Sequence, residues 1–268
     1  MGGHAVGGRG FRAVGGVVSA PPRRRRRTRW WWIVAAAIVA VVVVCAVATA
    51  GLLGRAVGTG LTALWGSECV VEVAGEQVGV ERQQAMAATT AAALQARGEE
   101  PPADVEVDPQ LVDALLTGPA DGPGPVLTCF SGSTTELAAE EMGPSGLTPR
   151  AETLLAEMTD VHGELSLGGF EPGGVRDGHG ADSTHYRGEA IDVFFRPVSE
   201  EQRHAGWLLA QWLVAHAQRL EVSVVIFDDQ IWSAQFALAG WRPYVSSDTS
   251  NDILQHRDHV HVDVRRGQ

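Results

Sequence analysis

One stretch constrains this chain more than any other: the twenty-five residues from Trp30 to Gly54 carry no charge and are bounded by Arg29 and Arg55. As a helix they would extend roughly 37 Å, enough to cross a hydrocarbon core of about 30 Å with some tilt. Arg23–Arg27 and Arg29 stand directly before the stretch, so the positive-inside rule puts the N-terminus in the cytoplasm and everything after residue 55 on the other side. Trp30, Trp31 and Trp32 fall where an interfacial aromatic anchor is expected. The alternative is a cleaved signal peptide ending near Ala48-Thr49-Ala50, followed by secretion; its apolar part would exceed the usual length of roughly 7–15 residues. Bulky Val44 before Cys45 argues against lipid attachment, and Cys45 reads as a buried membrane cysteine. The expectation is a single-pass cell-membrane protein with an extracytoplasmic body.

Charge follows the same division. The net charge of −11 averages nine arginines and no acid in residues 1–55 with twelve arginines against all 32 acids afterwards. A body so acidic lacks the clustered cations that a phosphate backbone requires, so nucleic-acid binding is excluded as its task. Residues 1–29 read as a disordered basic cytoplasmic tail and 30–54 as the anchor. Residues 55–146 hold a β-like run at Cys69–Val73 and an Ala-rich helical stretch from about Glu81 to Arg97, then Pro/Gly breaks. This segment has few large apolar residues and is expected to be a spacer or small cap. In an oxidising compartment Cys69 and Cys129 are the candidate disulfide pair, and closing that loop would contribute about 4 kcal/mol from chain entropy.

Residues 147–268 carry an α+β pattern, expected as a small antiparallel sheet with flanking helices. Thr148-Pro149 caps a helix running to His162, Ala190–Phe195 reads as a strand, and Ser199–Leu220 as the strongest helix. Val222–Phe227 and His259–Val264 complete the strands, and Ile231-Trp232 could continue the first of these after a turn at Asp228-Asp229. Trp207 and Trp212 are expected in the core, while Trp241, Arg242 and Tyr244 could line a cleft or pack inside.

Eight of the nine histidines lie after residue 161, and two clusters stand out. Ser183-Thr184-His185-Tyr186-Arg187-Gly188-Glu189-Ala190-Ile191-Asp192 sets a histidine seven residues ahead of an aspartate that begins an apolar strand. Asp258-His259-Val260-His261 places two imidazoles on one strand face. Two histidines, one carboxylate and an open fourth position make a plausible catalytic zinc shell. All three cysteines precede this region, so a thiolate site is excluded there. His179 and His256 read as surface or rim residues; His162, His204 and His216 read as structural.

The pattern Ser183, His185, Gly188, Ala190, Asp192, followed by Asp258-His259-Val260-His261, resembles the zinc D-alanyl-D-alanine carboxypeptidases. That superfamily also contains L,D-carboxypeptidases, murein endopeptidases and the hedgehog signalling domain. The resemblance covers about residues 147–268. It implies a zinc ion held by His185, Asp192 and His261, with Asp258 as the general base acting on water at the metal. It implies that His259 stabilises the oxyanion or steers the base, and that Arg176 holds a substrate carboxylate or carbonyl. Asp258 and His261 differ by three positions, so either Asp258 stands in the turn before the strand or His259 is the base. The expected function is a membrane-anchored zinc peptidase that hydrolyses peptidoglycan stem peptides or cross-links. The alternative is a non-catalytic zinc-containing module that binds cell-wall peptides or a protein partner.

Overall fold

The computed structural model describes residues 66–101 and 106–268. The expected tail and membrane anchor lie outside these residues; among the described ones no helix is long and apolar enough to cross a membrane.

The first layer begins with β1 (Cys69–Val73) and β2 (Glu76–Val80), a hairpin closed by Ala74-Gly75. Both turn residues have positive φ, 52° and 82°, the twist that a two-residue hairpin favours. Helix α1 (Arg82–Ala96) follows, opened by a reciprocal capping box between Glu81 and Gln84. Its inward face is almost all alanine, and it packs against a later helix, α4 (Glu200–Ala215). Buried Arg82 donates to the carbonyls of Val214 and Ala215 at the end of α4 and to Ser131, satisfying acceptors a helix terminus leaves open. Helix α2 (Pro109–Thr117) is capped by Asp108 with proline at its start. Strand β3 (Leu127–Cys129) then pairs with β1 so that Cys69 and Cys129 are direct neighbours, and the two form the expected disulfide.

The second layer carries helix α3 (Pro149–His162), capped by Thr148, and a six-stranded antiparallel sheet. Its strands are β4 (Leu167–Gly168), β5 (Ala190–Phe194), β6 (Val222–Phe227), β7 (Gln230–Ser233), β8 (Arg242–Pro243) and β9 (His259–Val264), in the order β4-β5-β9-β6-β7-β8. The turn between β6 and β7 holds Asp228 and Asp229, both at positive φ. The α+β class and antiparallel sheet agree with the sequence. The long helix stops five residues short of the expected end, at Ala215, and a turn carries the chain to Leu220.

Residues 66–130, within the 55–146 segment expected as a spacer or small cap, share one core with the second layer. Gln211 of α4 accepts both the Val126 and Leu127 amides through Oε1. Trp232 and Trp241 donate their indole N–H groups to the carbonyls of Cys129 and Leu127. Trp241 is thus a bridge between the layers rather than a cleft residue. Trp207 and Trp212 lie in the core as expected.

The central strands divide the chemistry by face. Ile191, Val193, Val260 and Val262 alternate with Asp192, His259, His261 and Asp263, and period two sends the valines and isoleucine one way and the ionisable groups the other. Helices α3 and α4 cover the sheet's apolar side. Strand β9 comes last in the chain yet lies between β5 and β6, which brings the C-terminal histidines against the aspartate of the first motif.

Candidate metal centre

Asp192 on β5 and His261 on β9 are paired directly across the sheet. The strand spacing therefore fixes their separation, and Asp192 Oδ1 lies 3.0 Å from His261 Nδ1. His185 arrives from a 3-10 turn, Thr184–Arg187, that precedes β5. Ser183 caps this turn by accepting the His185 amide. Gly188 ends it in the left-handed region at φ 66°, where an added Cβ would stand 2.6 Å from the Gly146 carbonyl oxygen. Ala190 then starts the strand with no exposed surface. The spacing of the first motif is thus cap, ligand-bearing turn, left-handed exit and buried strand.

His185 Nδ1 lies 2.7 Å from the Gly169 carbonyl, so a proton there is donated outward and Nε2 is left facing the site. Nε2 is 3.2 Å from His261 Nδ1 and 3.4 Å from Asp192 Oδ1. Three donor atoms so converge within hydrogen-bonding range, close to the roughly 3.3 Å edge of a tetrahedral shell built at zinc–nitrogen distances. His261 Nε2 is held by Asp263 at 2.8 Å, and Thr184 Oγ1 donates to the same carboxylate at 2.6 Å. Carboxylates behind ligating imidazoles set ring orientation and basicity at metal centres. The donor set and its backing therefore suit a divalent cation. His179 joins from a glycine-rich loop: its ligand atom and those of His185 and Asp192 lie within 4.8 Å of one another, and this group could hold a metal ion.

The charges respond to this crowding. Burial works against charge on Asp192, yet hydrogen bonds from His185 and His261 hold its carboxyl far below the ordinary range. Burial disfavours charge on His261 too, but Asp263 and Asp192 outweigh it and raise the imidazole to about 10. Burial, with His185 beside it, pushes His179 down; burial with His261 and His259 beside it pushes His256 down to about 3.

His259 lies on the same face as His261, with Nε2 3.7 Å from Asp192 Oδ1 and Nδ1 2.7 Å from Asp258 Oδ1. Asp258 stands just before β9 and is not among the residues that line the cleft. Its Oδ2 accepts both Nε and Nη2 of Arg196 at 2.7 Å. Burial alone would raise this carboxyl, but His259 and Arg196 hold it down. Its partner is thus Arg196, while Arg257 pairs with Asp229 and Asp252, and Arg265 with Glu221.

His179, His185, Asp192, Arg196, His259 and His261 line a cleft of about 770 Å³ that also includes Tyr244, Ile226, Ile253, Leu254 and His256. Arg196 is the single arginine on that lining. Arg176 is exposed and lines an adjoining hollow of about 640 Å³, which meets the cleft at Gly169 and His179. The structure therefore brings together His185, Asp192, His259 and His261, keeps Asp258 one side chain behind, and sets Arg176 apart.

Sequence reasoning passed over His179, Arg196, His256 and Asp263. Asp263 continues the alternation of His259 and His261, and Arg196 continues that of Asp192 and Phe194, so period two contained both. His179 and His256 sit in irregular loops where no period points inward.

Residues 143–254 match the family model described as VldE, C-terminal domain, less than half of the chain. The matched span includes His179, His185, Asp192 and Arg196 and stops before His256, Asp258, His259 and His261. No curated protein and no solved structure matches the chain.

Proposed function

We propose that the chain is a membrane-anchored extracytoplasmic zinc peptidase that hydrolyses amide bonds in peptidoglycan stem peptides or cross-links. The observation that carries this reading is the convergence of His185 Nε2, Asp192 Oδ1 and His261 Nδ1 at 3.0–3.4 Å, with Asp263 behind His261. These three residues would hold the zinc. When bound, zinc supplies Lewis acidity that polarises a scissile carbonyl and makes water a usable nucleophile near neutral pH.

The protein's own groups divide the remaining work. His259 presents Nε2 toward the donors while Asp258 fixes Nδ1, so His259 takes a proton at Nε2 and returns it to the leaving amine. Asp258 acts through His259, because Arg196 engages its other oxygen. Arg196, half exposed on the cleft, is the better placed arginine for a substrate carboxylate, a task that suits a guanidinium fork. Ile226, Ile253 and Leu254 offer an apolar wall for small aliphatic side chains. The uncharged Trp30–Gly54 stretch supports a location on the substrate's side of the membrane.

The test is incubation of the full-length, detergent-solubilised, zinc-loaded chain with purified muropeptides, followed by mass analysis. Cleavage that is lost in His259→Ala while zinc is retained supports the peptidase. A zinc-loaded chain that cleaves no muropeptide would sink it and leave a non-catalytic binding module.

A further inference from the structure

We propose that His179 is a displaceable fourth ligand, which completes the shell of His185, Asp192 and His261 at rest and leaves it when substrate binds. The proposal rests on the metal reading above and adds a gate to it. Its first support is position: the ligand atom of His179 is grouped with those of His185 and Asp192 within 4.8 Å, and its ring stacks on His185 with centroids 4.1 Å apart.

The second support is a dedicated clamp. Tyr186 belongs to the same 3-10 turn as His185, and its hydroxyl serves His179 twice. It accepts the His179 amide at 3.0 Å and donates to the His179 carbonyl at 2.7 Å. One hydroxyl thereby ties the loop residue to the turn that carries a ligand, and both bonds are made to backbone, which leaves the imidazole free to ligate.

The third support is room to move. His179 stands between Gly178, at φ 84°, and Gly180, and a Cβ built on either glycine meets nothing within 4 Å. Neither neighbour carries a side chain to crowd the ring, so the imidazole turns about its own side-chain bonds, between its stacked position and the fourth corner, while Tyr186 holds the backbone. The residue also marks the seam between the cleft and the adjoining hollow, so its departure joins the two into one longer groove. A closed shell of four protein donors is the mark of a structural site, whereas hydrolysis needs an open position. A ligand on a glycine-flanked loop reconciles a full resting shell with turnover.

The experiment uses the full-length chain, stripped of metal and titrated with Co²⁺ alone, then with acetohydroxamate as a probe of an open position. The wild-type chain is expected to bind one Co²⁺ with the intense visible absorption of a four-coordinate site. His179→Ala is expected to keep one Co²⁺ at roughly tenfold or more weaker affinity, with an altered spectrum, and to bind acetohydroxamate more tightly. Tyr186→Phe, which removes the clamp without touching a ligand, should shift the same readouts in the same direction by less. Unchanged affinity, spectrum and probe binding in His179→Ala overturns the gate while leaving the metal site intact. Failure of the wild-type chain to bind Co²⁺, or binding unaffected by His185→Ala, overturns the metal reading itself and the gate with it.

Discussion

His261 is held between two carboxylates, with Nδ1 3.0 Å from Asp192 Oδ1 and Nε2 2.8 Å from Asp263 Oδ1. Asp192 approaches from the paired strand, whereas Asp263 lies two residues further along β9 on the same face. One imidazole thus has a metal-side partner and a backing partner, and the two should separate in mutants. Asp263→Ala leaves all three proposed ligands in place but frees the ring. Metal affinity is expected to fall roughly 10–100-fold with little change in secondary structure, measured by chelator competition and circular dichroism. An unaltered affinity would remove Asp263 from the centre.

Gly169 makes a sharper steric prediction. Its φ of 76° is left-handed, and an added Cβ would stand 2.3 Å from the His185 ring and 2.9 Å from Asp192 Oδ2. Gly169→Ala should therefore lose metal binding and also cost about 1–2 kcal/mol for the backbone conformation alone. Metal titration beside thermal unfolding tests both parts. A variant that binds normally would mean that the loop carrying the Gly169 carbonyl does not position His185.

The Cys69–Cys129 bridge joins neighbouring strands in the first layer and closes a separation of 60 residues. Its removal in a Cys69→Ser, Cys129→Ser double variant should lower stability by about 4 kcal/mol, read from denaturant unfolding with and without reductant. Wild-type chain in reductant should converge on the variant. Equal stability of all three samples would show that the shared core alone sets the unfolding free energy.

Part of the acid sensitivity should arise far from the metal centre, in addition to that of buried His256 on the cleft. His162 meets Trp212 edge-on at 5.4 Å and His216 stacks on the same indole at 4.2 Å. Burial lowers His162 to about 3 and His216 to about 4. Free histidine titrates near 6.5, so between these limits the unfolded chain binds more protons than the folded one. Stability contributed by the neutral rings is therefore present above about pH 6.5 and is lost as pH falls toward 4. His162→Phe should flatten that loss between pH 6.5 and 4.5, followed by tryptophan fluorescence in denaturant. The same slope in variant and wild type would assign the acid response elsewhere.

Much of the second layer was legible because its signals are local. Thr148-Pro149 and Ser199 are caps, the β9 alternation is strict, and Asp228-Asp229 is a two-residue turn. The meeting of Asp192 and His261 was legible through motif resemblance and is explained by strand order. What period and motif could not reveal depends on tertiary placement. Asp258 stands beside His259 in sequence, but whether it faces the cleft depends on Arg196, which reaches it across 62 residues. Likewise, the alanine face of α1 looked too small to make a core because its partner, α4, lies more than a hundred residues away. His179 reads as a surface or rim residue because a glycine-flanked loop has no period from which an inward direction can be read.

Zinc stoichiometry of the folded full-length chain tests the central claim most directly. Wild-type protein loaded with zinc and dialysed is predicted to retain one zinc per chain. His185→Ala, Asp192→Ala and His261→Ala, each folded by circular dichroism, are predicted to retain almost none. One zinc per chain in all three variants would contradict the account.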